Sequence, residues 1–441
     1  MVEGEQMKTF YVINDHRKTR FLFWMCWMVY FTSYLGRLNY SSAMTVMIQE
    51  AVITKAEAGF ISMVYFFAYG IGQLCNGLLG DRLHPGRMIT GGLLISAVIN
   101  MVMTYTHGFV SMSLFWCING YAQSMIWPPI IRIFSEMLEE KKKVQYCIDI
   151  VSTQALGTLA SYLLSAAIIG WGHWEFVFLA AGVLLFTAAM VWAVSFQRIE
   201  SYSRRCGIRK KEEREKNEAD LSGMTLKGTT SSGADLGSGN SFVKLIVTSG
   251  MVMIIFPVII HGMLKDGVTS WVPTYISETF RISASFSILV TTLLPVVNLS
   301  GAYMARYVYE KLEKQETKAA VFFYVAATAA LILLLAAGNR NLILTAVLFA
   351  VITASMMAVN TLFVNLYPLK FKAQGRVSAV SGFLNAMAYL GTAFSTFSIG
   401  ILVQNEGWSV TLVSWIGVTF LAMAVCQIAA VRERKKEGRV R

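Results

Sequence analysis

Apolar residues in this chain come in unbroken blocks of roughly 20, the length that crosses a bilayer as a helix, separated by short polar stretches. The blocks show no period-two alternation, which argues against barrel strands. Helices are the remaining way to satisfy a backbone inside lipid. Spans 1 to 6 are expected near 21–48, 56–79, 87–106, 109–134, 144–169 and 174–196. Spans 7 to 12 are expected near 243–265, 283–306, 317–337, 341–366, 376–401 and 408–431. The pattern defines an all-α membrane protein, twelve transmembrane helices in two six-helix halves, 21–196 and 243–431. A tail, 1–20, precedes them, a linker, 197–242, joins them, and a basic tail, 432–441, follows. The linker begins as a mixed-charge run, QRIESYSRRCGIRKKEEREKNEAD, and ends Gly/Ser/Thr-rich. Such a sequence buries too little apolar area to fold and is expected to be a flexible tether, with a short surface helix as the alternative.

Composition agrees with a chain embedded in the lipid bilayer. Of its 441 residues only 15% are charged, against about 25% in soluble proteins, and mean hydropathy is +0.53. The net charge of +12 raises the question of a nucleic-acid partner. Its distribution answers no: 33 of the 38 Lys and Arg fall in the tails, the linker and alternate short loops that lie on one side of the twelve-span layout. Only Lys55, Arg281 and Arg340 fall in loops on the other side. This positive-inside asymmetry places both termini in the cytoplasm of a cell (inner or plasma) membrane. The first twenty residues lack a short apolar core followed by a cleavage site, so they read as a cytoplasmic tail and not a signal peptide. The six cysteines form no C-x-x-C pair and are expected to be free thiols.

The junction of spans 2 and 3, NGLLGDRLHPGR, resembles the G-x-x-x-D-R-x-G-R-R loop of the major facilitator superfamily. It departs from it in having His84 and Pro85 before Gly86. The resemblance implies the major facilitator fold and a gating role for Gly77, Asp81, Arg82 and Arg87, with the glycines permitting close helix approach. The corresponding stretch after span 8, SGAYMARYVYEKL, keeps Gly301 but carries Arg306 near where the acid would fall. Gly70, Gly72 and Gly77 follow no strand and lie in an apolar span, so they are packing glycines and not a nucleotide loop.

Two bases stand inside apolar spans, away from the loop clusters: Arg37 in span 1 and Lys265 toward the external end of span 7. Each costs about 2.5–3.5 kcal/mol at mid-bilayer on insertion scales, so each needs a counter-charge. Spans 1 and 7 correspond between the halves, and both bases precede a helix-end glycine, Gly77 or Gly301, at similar distances. They are therefore expected to face one central cavity. The counter-charge is either an internal acid, Asp149 or Asp266, or a bound anion. Asp266 follows Lys265 directly and on a regular helix is turned about 100° away. Polar faces flank both bases: Tyr30, Tyr34, Arg37 and Ser41 on span 1, and Tyr65, Tyr69, Gln73 and Asn76 on span 2. Other spans offer Gln123 and Trp127, Gln154, His261, and Asn385 with Tyr389. Phenols and amides of this kind donate to oxyanions.

YLGRLNY in span 1, QSMIWPP in span 4 and LKDGVTSWVPTYI in span 7 resemble the organophosphate:phosphate antiporter family, over both halves but not the linker. The resemblance implies that Arg37 and Lys265 bind a phosphate, with lysine standing where bacterial carriers usually have arginine. Gln154 and Gln73 replace a histidine and a lysine of the glycerol-3-phosphate carriers, which leaves the particular substrate open. The expected function is a secondary active transporter of an organic phosphate of the sugar-phosphate or glycerol-3-phosphate class. Exchange with inorganic phosphate, by alternating access, is expected. The expected site comprises Arg37, Lys265, Tyr34, Tyr69, Gln73, Trp127, Gln154, His261, Asn385 and Tyr389. Two other functions share the fold: a proton- or cation-coupled organic carboxylate importer, with Asp149 as coupler, and a sugar-phosphate sensor. No nucleophile–base pair or metal-ligand cluster can be assembled, so neither enzyme activity, metal nor cofactor is expected, and the chain is expected to be a monomer.

Overall fold

The fold comes from a computed structural model that describes residues 10–79, 83–220, 250–338, 340–374 and 377–440. The N-terminal half holds span 1 (His16–Gln49), span 2 (Lys55–Leu79) and span 3 (Pro85–Met103). Span 4 is Phe109–Ser124 followed by Trp127–Met137, span 5 is Glu140–Asp149 followed by Ser152–Ile169, and span 6 is Glu175–Asp220. In the C-terminal half, span 7 runs Val252–Gly262, through a π turn at Met263–Gly267, to Val268–Phe280. Span 8 is Ala284–Thr291 and Leu293–Lys311, and span 9 is Glu316–Ala337. Span 10 is Leu342–Asn360 with a π turn at Thr361–Leu366 and a 3-10 segment to Gln374. Span 11 is Val377–Asn405 and span 12 is Gly407–Val440.

Local chemistry explains these boundaries. Asp15 caps span 1 by accepting from the Arg17 and Lys18 amides, and His84 caps span 3 with Pro85 in the first turn. Span 4 breaks before Pro128 and Pro129, which lack N–H donors and start the second helix instead. Ten helices among the described residues are long and apolar enough to cross a bilayer. Spans 1 and 4 complete the twelve; span 1 is diluted by its own polar residues, and the first helix of span 4 has only 16 residues.

Three expectations change. Span 7 runs to Phe280, so Lys265 sits near its middle and not at an external end. The charges of Lys265 and Asp266 and the proline Pro273 look like a span end, yet the helix continues. The Thr269 and Ser270 hydroxyls donate to the Lys265 and Asp266 carbonyls in the widened turn. Span 6 continues to Asp220, so the mixed-charge part of the linker is helical, as its Lys, Arg and Glu content favours; 221–249 lie outside the described residues. Finally, the tail is docked from Phe10 onward. Phe10 packs on Phe196, and Ser203 exchanges two hydrogen bonds with the Tyr11 backbone.

The halves meet mainly through spans 2 and 11, 5 and 8, and 1 and 7, while spans 4 and 10 make no comparable contact among the described residues. The joining hydrogen bonds cluster at the end of the bundle distal to the termini. Ser41 Oγ donates to the Ser270 carbonyl at 2.6 Å, Gln49 Nε2 to Ser277 Oγ at 2.7 Å, and Ser285 Oγ to the Ala166 carbonyl at 2.7 Å. Lys55 pairs with Glu278 at 2.8 Å. Here span 2 crosses span 11 on two glycines. A Cβ on Gly59 would lie 2.6 Å from the Thr396 carbonyl oxygen, and one on Gly400 would lie 2.4 Å from that of Lys55. A second glycine crossing joins spans 7 and 11 within the C-terminal half, Gly262 against Ala388 and Gly391 against Ile259.

Candidate substrate site

Arg37 is buried on span 1 and reaches toward the other half. Its guanidinium lies over the Tyr69 ring at 4.5 Å and near the rings of Tyr389, Tyr34 and Phe66 at 5.3, 5.6 and 5.8 Å. Nη2 donates to Tyr389 Oη at 3.3 Å. Three spans, 1, 2 and 11, thus surround the guanidinium with ring faces, whose quadrupoles attract a cation. No carboxylate among the described residues pairs with it. Asp149 is exposed at the end of the first helix of span 5, so neither an Arg37–Asp149 pair nor a coupling role for Asp149 inside the cavity has geometric support.

Lys265 differs. Its Nζ donates to both oxygens of Asp266 at 2.9 Å. The expected 100° separation does not apply, because residues 263–267 wind as a π turn and a long lysine chain can fold back over its neighbour. Lys265 is buried and Asp266 half-buried. Asp266 lies within electrostatic reach of Arg37 as well as bonded to Lys265, so the three groups border one site. The site carries one net positive charge and not two.

The other expected residues are distributed as follows. Tyr30 touches Tyr34 and Trp127, so Trp127 joins the aromatic cluster with two rings, Tyr30 and Tyr34, between it and Arg37. Gln73 lies beside Tyr69. His261, four residues before Lys265, bonds through Nε2 to Asn360 Oδ1 at 3.1 Å, tying span 7 to span 10 just ahead of the π turn in each. Gln154 and Asn385 are half-buried and make no side-chain hydrogen bond among the described residues. Asn76 and Gln123 are taken up elsewhere, donating to Ser124 and Ser96 between helices of the N-terminal half. Among the described residues, two buried polar atoms beside the site, Tyr65 Oη and Gln73 Nε2, have no hydrogen-bond partner. Buried donors of this kind are rare unless water or a ligand meets them. Phe66, Tyr162 and Asn360 are site members that sequence reasoning missed; Asn360 and Tyr162 were discernible as polar groups inside apolar spans.

Of the gating loop, Gly80, Asp81 and Arg82 lie outside the described residues. Gly77 has no neighbour near its Cβ position, so close approach is not made there. It is made at Gly86, where a Cβ would lie 2.4 Å from the Phe196 ring. Arg87 is exposed, and Arg132 of span 4 donates to the Leu83 carbonyl at 2.9 Å.

Two six-helix bundles meeting around a buried, charged midpoint define a membrane carrier of the two-half class, not an enzyme. The chain belongs to the Major Facilitator Superfamily, whose family model matches residues 26–385. Within it the chain is similar to the "Probable hexose phosphate transport protein" of Chlamydia pneumoniae, 19% identical over 408 residues, covering 91% of this chain and 89% of the relative. It is also similar to the "Glycerol-3-phosphate transporter" of Bacillus subtilis, 23% identical over 401 residues, covering 88% and 87%. These relatives agree with the organophosphate:phosphate antiporter resemblance of spans 1, 4 and 7. Among solved structures, the inward-facing, unoccupied bacterial homologue of the human lysosomal transporter Spinster superposes with a TM-score of 0.70 at 12% identity. That match covers 95% of this chain and 98% of the homologue, and it establishes the shared fold.

Proposed function

We propose that this transporter carries an organic phosphate of the sugar-phosphate or glycerol-3-phosphate class in exchange for inorganic phosphate, by rocking of its two halves. The observation that carries the reading is Arg37: a buried guanidinium where the halves meet, held by rings and one phenol and with no carboxylate partner among the described residues. A phosphoryl group supplies the missing charge, and the planar fork of arginine can engage two of its oxygens. Lys265 provides a second, compact cation once Asp266 yields it. The names of the relatives, a hexose-phosphate and a glycerol-3-phosphate carrier, support this substrate class.

With both termini in the cytoplasm, as the charge asymmetry argues, the end closed by the Gly59–Gly400 crossing is external and the site opens inward. Exchange follows from the charge left in the empty site. Closing the halves around an uncompensated Arg37 removes a cation from water, whereas a bound phosphate neutralises it. The test is uptake of radiolabelled glycerol 3-phosphate or a hexose 6-phosphate into proteoliposomes loaded with phosphate. Loaded vesicles should take up the ester, and R37Q should abolish uptake. Equal uptake into phosphate-free vesicles would sink the exchange step, and normal ester binding by both R37Q and K265Q would sink the site.

A further inference from the structure

The Lys265–Asp266 pair gives the site a charge arithmetic that no dianionic phosphate ester satisfies alone. Arg37 and Lys265 contribute two positive charges and Asp266 one negative. A phosphate monoester above its second pKa of about 6 is a dianion. Adding it to the site leaves one net negative charge in a low-dielectric interior, where an uncompensated charge is expensive. One proton restores neutrality. The geometry indicates where it goes. Lys265 Nζ is committed to both Asp266 oxygens, so a phosphoryl oxygen can gain Lys265 only if the carboxylate lets go. A protonated carboxyl has lost the charge that holds the ammonium.

We propose, resting on the phosphate-ester reading above, that Asp266 is the built-in competitor of the substrate. It holds Lys265 in the empty carrier, and a dianionic phosphate ester binds together with one proton taken from the medium onto Asp266. In that step Lys265 Nζ exchanges its hydrogen bonds to the Asp266 oxygens for bonds to phosphoryl oxygens, no covalent bond changes, and the loaded site is neutral. Asp266 has the solvent access this requires: its side chain is 25% exposed, against 11% for that of Lys265. The charged or titratable groups around it are Lys265 and His261 on span 7, Arg37 and Tyr34 on span 1, Tyr162 on span 5 and Tyr389 on span 11. Asp266 is the carboxylate among them. Asp266 is thereby a specificity-determining residue, since it sets the substrate charge that the carrier accepts with and without a proton.

The experiment measures proton uptake on binding to the purified full chain. Glycerol 3-phosphate is titrated calorimetrically at pH 8, where it is a dianion, in buffers of different ionisation enthalpy. Wild type should take up about one proton per ester, and its Kd should weaken about tenfold per pH unit between pH 7.5 and 8.5. D266N should bind the same ester with no proton uptake and a flat Kd, at least about tenfold tighter than wild type at pH 8. D266E should restore the uptake. Absence of proton uptake in wild type, or its survival in D266N, which would move the proton to His261 or to the ester, overturns the proposal while leaving phosphate binding intact. Failure of wild type to bind any phosphate ester overturns the functional reading instead. Should D266N fail to fold, wild-type uptake and its Kd slope still decide.

Discussion

The crossing of spans 2 and 11 offers a direct way to push the carrier between its conformations. Substituting alanine for Gly400 puts a methyl carbon 2.4 Å from the Lys55 carbonyl oxygen and 3.3 Å from Ala56 Cα. Comfortable carbon contacts begin near 3.5 Å, so the backbones must part by roughly 1 Å. The obstacle is main chain and cannot rotate away. Overpacking of this kind costs about 1–3 kcal/mol. The cost falls on the conformation in which the halves touch here, and the conformation with this end open escapes it. The expected result is a shift of about 5- to 150-fold toward opening at this end. Spin labels at 51 and 281, exposed on opposite halves beside the crossing, report the separation by pulsed electron resonance in nanodiscs, in a background without the six native cysteines. G400A should move population to the longer distance, and G59A, facing the Thr396 carbonyl oxygen at 2.6 Å, should do the same. G382A is the control: it lies on the same helix with no neighbour near its Cβ position, so it tests helix propensity alone. If G400A and G382A give the same distance distribution, this crossing does not set the balance between conformations.

Other substitutions probe the site and its scaffold. R37K keeps the charge but loses the planar fork, one charge-assisted hydrogen bond, and should weaken phosphate-ester Kd by about 10- to 100-fold in equilibrium binding. N360A leaves His261 Nε2 buried without its partner and should destabilise the chain by about 1–3 kcal/mol, seen as a lower Tm in detergent. G262A drives a methyl to within 2.0 Å of the Ala388 carbonyl oxygen inside the C-terminal half; it should lower Tm without biasing the label distances across the halves.

Continuous apolar blocks sufficed to identify helical membrane spans, because length and backbone satisfaction in lipid admit few alternatives. Arg37 was legible for the same reason: a lone cation in an apolar helix must be explained. Its ring cluster was partly legible, since Tyr30, Tyr34 and Arg37 share a helical face, whereas Phe66 looked like ordinary core. Span 7 was misplaced because the charges of Lys265 and Asp266 interrupt the apolar run where the span was expected to end. The Lys265–Asp266 pair was hidden for a related reason. Periodicity arguments assume a uniform turn, and a π turn is a departure from uniformity that only packing against spans 10 and 11 reveals. Asp149 looked like a membrane acid because its flanking sequence is apolar, yet it marks the break between the two helices of span 5 and is exposed.

The neutral Lys265–Asp266 pair leaves Arg37 as the single net charge of the empty site, and this has an electrical consequence. Turning access from one side of the membrane to the other moves that charge through part of the transmembrane field, worth about 2.3 kcal/mol for a full charge at 100 mV. With the proton that Asp266 is proposed to take up alongside a dianion, the loaded site would carry nothing for the field to act on. Membrane potential therefore acts on the empty site and not on the loaded one, which adds to the cost of closing the halves without cargo. On the exchange reading proposed above, a negative interior would hold the unloaded protein facing inward.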